Sequence, residues 1–307
     1  MTTLRSFGQV TARRRKHAPT LRRSCSRATS SRCSNAGSDR SLGRWRTGAL
    51  LLAALGLAAA DTPAPGPLHI IGGQAAGCIA GAVQLPSKGV GFQTIHLSRS
   101  SFWGAPSTIA RIEALGAQAH AAGLGDLYIE DISRPRGGPL PGGHQSHQLG
   151  LDVDIALDVT PKRTLSAADR DSVELPSLVR ADQRGVDPAR WSPGVVELLR
   201  LAASLPDVDR ILVNPAIKRQ LCQEVQGNRS WLRLMRPWYD HAAHMHIRFR
   251  CPAGQRDCVQ APPPPPGDGC DATLQWWFDQ LEVPPKPSAP YHPPPLPVAC
   301  KAVMQAP

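Results

Sequence analysis

The sequence predicts an α+β fold in which a central antiparallel sheet is flanked by helices and followed by an extended C-terminal strap. Two stretches, 151–157 and 244–250, alternate apolar with polar residues, which is typical of half-buried strands. Several other stretches carry apolar residues at helical spacing. Beyond residue 261 the chain holds fourteen of its 31 prolines and two cysteines, which favours an extended segment tied down by disulfides.

Residues 1–60 are predicted to be an N-terminal leader that ends in a signal peptide. A basic segment runs into the apolar stretch 47–60, which is too short to span a bilayer comfortably and ends in three alanines before Asp61. A buried helix or an uncleaved membrane anchor is disfavoured, because polar, Pro-rich sequence follows at once and no second apolar segment appears. We therefore expect cleavage near Ala60, export, and no stable membrane insertion afterwards.

The charge of the chain is concentrated in this leader. The whole sequence has a net charge of +11, which on its own suggests a nucleic-acid binder. Residues 1–60 contain twelve of the 35 Lys and Arg residues and one of the 24 acidic residues, so the remainder holds 23 of each and is neutral. The mature chain is therefore not expected to bind nucleic acid.

Six cysteines remain after the leader, and their even number in an exported chain predicts three disulfides. Fifteen pairings are possible, and spacing alone does not choose among them. A cysteine zinc site is disfavoured because no two cysteines have Cys-x2-Cys spacing. The six are Cys78, Cys222, Cys251, Cys258, Cys270 and Cys300.

The folded core is expected to span residues 61–250. Its first clear helix covers 107–122, with Ser107 or Thr108 as the cap and Gly123 as the stop. After the strand 151–159, the polar stretch 160–190 has no sustained period and predicts a surface loop with short helical pieces. Further elements are predicted as a strand at 126–132, a helix at 192–203 that buries Val195, Val196, Leu199 and Ala202, a strand at 208–213, and helices from Asn214 and at 230–235.

Residues 251–307 are predicted to form the strap. Proline-rich sequence supplies neither regular ladders nor helices, so an extended conformation is expected. Disorder is disfavoured because Cys270, Cys300 and the aromatic cluster Trp276-Trp277-Phe278 would tie the segment to the core.

The two alternating strands gather metal-ligating side chains. One face of the first carries Asp152 and Asp154, and one face of the second carries His244 and His246. Pairing the strands would bring Asp154 and His246 together with His147. Two imidazoles and one carboxylate, with a fourth position left for water, are how a catalytic zinc is held.

The motifs around these residues carry a family resemblance. The pattern His-x6-Asp followed far downstream by His-x-His resembles the metallopeptidases that group lysostaphin-type enzymes, D-Ala-D-Ala dipeptidases and the amino-terminal hedgehog domain. Three longer motifs, at 142–155, 213–218 and 236–246, are similar to the penicillin-insensitive murein endopeptidases of Gram-negative periplasms. The resemblance covers roughly residues 66–300. It implies a zinc hydrolase of the periplasm and disulfides joining Cys78 with Cys300, Cys222 with Cys270, and Cys251 with Cys258.

The remaining polar residues of the two stretches also have candidate roles. By resemblance His244 is the catalytic histidine, a base toward water or a stabiliser of the oxyanion, and the alternative is a fourth ligand of an inactive site. His241 would orient His244, or would contact the metal ligands without binding the metal itself. His144 would be a fourth metal ligand or a hydrogen bonder on the substrate side, while Asp152 would position a ligand imidazole or form a plain ion pair.

Two more positions are candidates for the site. Some enzymes of this family are described with a second zinc, held by an Asp and a His in the loop that follows. Asp182 matches the Asp, but Gly185 stands at the His position, so a second metal is not expected. Trp238 could line the cleft, yet a buried core role is the favoured interpretation.

The predicted function is hydrolysis of the D-alanyl-meso-diaminopimelyl cross-links of peptidoglycan by a zinc endopeptidase. The residues alone reach only metal-assisted amide hydrolysis, and the substrate follows from the resemblance. One alternative is a D-Ala-D-Ala carboxypeptidase or dipeptidase of the same fold. Another is a catalytically silent, zinc-containing module that binds the cell wall. The oligomeric state leaves no signature in the sequence.

Overall fold

A seven-stranded sheet forms the centre of the protein in a computed structural model that describes residues 62–284 and 291–307. Its strand order is β10-β9-β11-β8-β7-β5-β4, and two small two-stranded sheets, β1-β2 and β3-β6, lie outside it. The strands are β1 His69–Gly73, β2 Ala76–Ala80, β3 Val83–Gln84, β4 Lys88–Gly89, β5 Phe92–Thr94, β6 Trp103–Gly104, β7 Leu127–Ile129, β8 Asp152–Ala156, β9 Val208–Val213, β10 Met235–Pro237 and β11 His244–Phe249.

The α-helices of the described residues connect and follow these strands. They are α1 Pro106–Ala121, α2 Ala167–Asp171, α3 Pro193–Ser204, α4 Pro215–Glu224, α5 Ala272–Asp279 and α6 Cys300–Gln305, with 3-10 turns at Leu97–Arg99, Ser230–Leu234 and Gln280–Glu282. The predicted α+β class is therefore confirmed.

The central pairings of the sheet are antiparallel, as predicted, but the sheet as a whole is mixed. Strand β11 pairs antiparallel with both β8 and β9, and β7 pairs antiparallel with β8. In contrast, β5 pairs parallel with β7 and β9 parallel with β10. Helices α1 and α4 lie within these two connections. A parallel pair needs such a crossover, because the chain must return to the end of the sheet at which the first strand began.

A single large apolar cluster joins the sheet to helices α1, α3 and α4. It includes Ile112 and Leu115 of α1, Leu199 of α3, and Val153 and Ile247 of the two central strands, all buried. Because these strands bury one face here, their other face is left to the polar residues described below.

The start of α1 differs from the prediction. Ala105 is the N-cap residue and Pro106 is the first helical residue, and neither Ser107 nor Thr108 caps the helix. Proline is favoured at this position because its fixed φ suits the helix and the missing N–H needs no partner there. The helix ends as predicted, with Gly123 at φ +74° just beyond it.

Several other elements are close to their predicted bounds. Strand β9 has the predicted range, whereas β7 is shorter than predicted. In α3, Leu198 is buried where Val196 was expected, and Val196 is half-buried. The stretch 160–190 contains one short helix, α2, whose N-cap Ser166 accepts a hydrogen bond from the Asp169 backbone N–H.

The C-terminal segment is bound to the core by disulfides and by arginine side chains. The three pairs Cys78–Cys300, Cys222–Cys270 and Cys251–Cys258 are present, as the resemblance implied. Arg233 donates to the Pro264 and Pro265 carbonyls, which proline-rich backbone leaves free. The expectation that this segment would lack helices was wrong, because α5 and α6 form between its proline runs.

The aromatic cluster of this segment is only partly buried. Phe278 is buried and lies under the Arg219 guanidinium, while Trp276 is exposed.

No helix in the described residues is both long and apolar enough to cross a membrane. The predicted leader and its cleavage site lie outside the described residues, and the boundary between residues 250 and 251 stays a prediction.

Candidate metal centre

Strands β8 and β11 place a carboxylate opposite an imidazole at the middle of the sheet. Their antiparallel register pairs His246 with Asp154 and Arg248 with Asp152. His246 Nδ1 lies 3.0 Å from Asp154 Oδ1, and both side chains are almost completely buried. The alternation of the two strands thus leads to direct contact between two of the predicted ligands.

His147 reaches the same carboxylate from the loop before β8. Its Nε2 lies 3.2 Å from Asp154 Oδ2, and its Nδ1 lies 3.0 Å from the Ile132 carbonyl. The backbone of His147 has φ +65°, a left-handed conformation that non-glycine residues rarely adopt. Such strain persists only where the surroundings hold it, and it concentrates at functional sites.

Asp152 holds the outer edge of the His246 ring. Its Oδ1 accepts from His246 Nε2 at 2.9 Å and from Arg248 Nε at 2.7 Å. The carboxylate is fully buried, and Arg248 and His246 together hold its pKa well below the usual range against the opposing effect of burial. Of the two roles considered for Asp152, the structure shows both an ion pair and an orienting contact.

The outer nitrogens of both imidazoles are thereby committed as donors, so their inner nitrogens carry lone pairs in the neutral state. These lone pairs face the two oxygens of Asp154 at 3.0 and 3.2 Å. Asp154 Oδ1 is buried and accepts no hydrogen bond from any described residue. Lone pairs that converge on one another repel unless a proton or a metal ion lies between them, and two imidazoles with one carboxylate form a donor set that fits a bound metal ion.

The charge of Asp154 also appears in the neighbouring pKa values. Burial by itself lowers the pKa of His147, but the Asp154 carboxylate overrides it and raises that pKa to about 9. Burial raises the pKa of Asp154, whereas His147 and His244 hold it well below the usual range. The site is therefore a buried negative centre that attracts cations.

His144 lies beside His147 on the open side of the site. One nitrogen of His144, one of His147 and one oxygen of Asp154 lie within 4.8 Å of one another. His144 Nε2 is also 3.4 Å from Asp131 Oδ2. Burial and the nearby His147 lower the pKa of His144, which keeps the imidazole neutral and able to bind a metal. Both roles weighed for His144 are compatible with this position.

His244 and His241 also lie near Asp154. His244 Nε2 is 3.9 Å from Asp154 Oδ2, and its side chain is about one-quarter exposed, unlike that of His246. The His241 ring lies 5.1 Å from that of His244, and His241 Nδ1 is 2.9 Å from the Tyr239 carbonyl. Burial and the adjacent imidazoles lower the pKa of His241 to about 3, so it stays neutral.

Asp182 is not part of the group that His144, His147 and Asp154 form. It is exposed, it lies 3.2 Å from Arg180, and it accepts a hydrogen bond from the Arg184 backbone. A neighbouring cavity of about 280 Å³ is lined by Arg180, Arg184 and Arg219. Positive charge on all these sides opposes the binding of a second cation at Asp182.

Two features of the site region differ from the sequence prediction or were missed by it. Trp238 is 39% exposed and lies against Trp277, so the favoured interpretation of a buried core residue was wrong. Asp131 was missed: it is buried two residues beyond the end of β7 and contacts Arg99, Ser101 and His144. The signal available was a carboxylate near the end of the strand predicted at 126–132.

A family model described as "Penicillin-insensitive murein endopeptidase" matches residues 70–305, a span that includes every residue of the candidate site. The chain belongs to this family. It is 44% identical over 264 residues to a penicillin-insensitive murein endopeptidase of Salmonella arizonae, covering 85% of this chain and 94% of the relative. It is 44% identical over 261 residues to one of Klebsiella pneumoniae, covering 83% and 95%. Membership of a peptidase family confirms the predicted hydrolase class.

Proposed function

We propose that this protein is a zinc endopeptidase that hydrolyses the peptide cross-links of peptidoglycan between D-alanine and meso-diaminopimelate. The observation that carries the proposal is the buried Asp154 carboxylate, on which the inner nitrogens of His147 and His246 converge. Relatives at 44% identity, which bear the name of murein endopeptidases, support the choice of substrate. Because peptidoglycan lies outside the inner membrane, the proposal places the mature chain in the periplasm.

His147, Asp154 and His246 would hold the zinc, with His144 close enough to be a fourth ligand. Two imidazoles and a carboxylate are a donor set typical of catalytic zinc. When bound, zinc supplies Lewis acidity toward both the scissile carbonyl and a water molecule. The tight burial of Asp154 and His246 excludes solvent from one side of the site, so substrate would approach from the side of His144 and His244.

His244 would exchange protons with the reacting groups. Its Nε2 lies 3.9 Å from Asp154, whereas His246 contacts Asp152 and Asp154 at 2.9 and 3.0 Å and is buried. A partly exposed imidazole beside the metal ligands can take a proton from the attacking water and return it to the leaving amine. No serine takes part in this mechanism, so β-lactams, which acylate serine, would leave the activity intact.

Digestion of purified peptidoglycan by the mature chain, residues 61–307, tests the proposal. We expect cross-linked dimers to disappear and monomers to increase, as measured by chromatography and mass spectrometry of the muropeptides. A chelator should block this conversion and added zinc should restore it. Release of terminal D-alanine without loss of dimers would favour the carboxypeptidase alternative, and stoichiometric zinc without any cleavage would favour the silent binding module.

Replacing His244 by alanine is expected to lower turnover about 10²- to 10⁴-fold, the usual contribution of a positioned acid–base group. Zinc content should stay near that of the unsubstituted protein, because the three proposed ligands are unchanged. The measurement is initial rates on cross-linked muropeptides together with metal analysis of the dialysed protein. His292→Ala, at an exposed position of the C-terminal segment, is the matched control. Wild-type turnover by His244→Ala would remove His244 from the mechanism.

A further inference from the structure

A second pair of titratable side chains lies behind His244, on the side away from Asp154. Glu130 directly follows β7, and its backbone N–H donates to the Asp154 carbonyl at 2.9 Å. Its Oε1 lies 3.9 Å from His244 Nδ1, and its Oε2 lies 3.5 Å from His96 Nδ1. The side chains of His96, Glu130 and His244 thus form a row that ends at the proposed metal site.

This row contains buried polar atoms with no hydrogen-bond partner among the described residues. They are Glu130 Oε1, on the side of His244, and His96 Nδ1. Most buried polar atoms in native proteins are paired, so each exception calls for an explanation. Arg99 does not supply it, because its guanidinium is 4.0 Å from Glu130 but 2.8 Å from Asp131.

The backbone around His96 holds it firmly in place. His96 has φ +55°, its N–H donates to the Arg170 carbonyl at 3.0 Å, and its Nε2 lies 3.0 Å from the Val173 carbonyl. The nearby Glu130 carboxylate raises the pKa of His96, against the opposing effect of burial. His96 is therefore fixed by its backbone and by its ring contact with Val173, and its position restricts where the neighbouring Glu130 carboxylate can lie.

We propose that Glu130 is a positioning residue that accepts the Nδ1–H of His244 and so directs His244 Nε2 toward the reacting centre. This inference rests on the proposed function, in which His244 exchanges protons with the substrate. The distance of 3.9 Å is longer than a hydrogen bond, and such contacts often tighten only when substrate binds. The unpaired Glu130 oxygen would then accept the Nδ1–H of His244. This hydrogen bond would stabilise the Nδ1–H tautomer of His244, in which Nε2 carries the lone pair that can accept a proton.

The test is Glu130→Gln, which keeps the shape of the side chain but removes its charge. An amide is a weaker acceptor and can turn its NH2 group toward the ring, so the preference for one His244 tautomer is lost. We expect kcat to fall roughly 10²-fold, with KM and zinc content little changed. The melting temperature should stay the same or rise, because a buried unpaired carboxylate is replaced by a neutral group.

A matched control and a second readout separate this role from a structural one. Glu113→Gln, at an exposed position of α1, should change neither turnover nor melting temperature. The ring ¹⁵N resonances of His244 in the zinc-loaded protein should report the Nδ1–H tautomer, and a mixture of tautomers after Glu130→Gln. Wild-type turnover by the variant, or a loss that follows a falling melting temperature, would overturn the proposal. The tautomer readout needs no substrate, so it remains informative even if the unsubstituted protein does not cleave cross-links.

Discussion

Replacing Asp154 by asparagine is expected to remove the tightly bound metal and to lower turnover roughly 10⁴-fold, as for the loss of a central catalytic group. The carboxylate contacts both His147 and His246. Asparagine keeps the shape but supplies no charge, so the two inner lone pairs lose the anion that makes the site attractive to a cation. Metal analysis after dialysis and initial rates on cross-linked muropeptides measure the two effects.

Asp158→Asn provides the control for this prediction. Asp158 lies four residues further along the chain, and its carboxylate binds Thr160 and Lys162 rather than an imidazole. Metal content and turnover should therefore stay close to those of the unsubstituted protein. If Asp154→Asn still retained stoichiometric metal after dialysis, Asp154 would not be a ligand. The third ligand beside His147 and His246 would then be His144.

The contact between Asp154 and His246 could be predicted because strand periodicity is a local property. Alternating apolar residues show which side of each strand faces the core, and the polar residues between them must then share the other side. The observed register, with His246 opposite Asp154, needed only the further assumption that the two strands pair. For the same reason the ranges of β9 and β11 were close to those predicted.

The surroundings of His244 could not be predicted in this way, because they depend on contacts between distant segments. Glu130 and His96 approach each other because β5 pairs with β7, and Glu130 approaches His244 because β7 pairs with β8 and β8 with β11. The pairing of β7 with β8 involves a single register pair, Ile129 with Ile155, which leaves no periodic signal. The left-handed backbone of His96 likewise leaves no sequence signal, since histidine adopts that conformation only occasionally and no glycine marks the position.

The helices of the C-terminal segment were missed because composition outweighed local signals. The segment is rich in proline overall, but residues 272–279 contain none. Asp271 caps α5 by accepting a hydrogen bond from the Thr273 backbone N–H, and Leu274 and Phe278 then lie one turn apart on the buried side. A capping residue followed by apolar residues at i and i+4 predicts a helix, even within a segment that is rich in proline overall.

Replacing Cys78 and Cys300 by alanine together is expected to lower the free energy of unfolding by about 5 kcal/mol, because this disulfide closes the longest loop of the three. The sequence separation is 222 residues, against 48 for Cys222–Cys270 and 7 for Cys251–Cys258. The same relation gives about 2 kcal/mol for removal of the Cys251–Cys258 disulfide, which makes that double variant the matched control. Denaturant unfolding of the oxidised proteins measures both values.

The Cys78–Cys300 disulfide also secures the end of the chain over a buried arginine. Arg136 is 2% exposed, and its guanidinium donates to carbonyls of residues 303, 304, 306 and 307, at and beyond the end of α6. If α6 detaches, this buried charge loses these four acceptors and is left with the hydrogen bond from its Nε to the Thr62 carbonyl. Arg136 belongs to the loop that leads to His144. The Cys78 and Cys300 double variant should therefore lose activity at a lower temperature than the Cys251 and Cys258 variant. Equal destabilisation by both variants would contradict the dependence on loop length and would leave α6 without a special part in holding this loop.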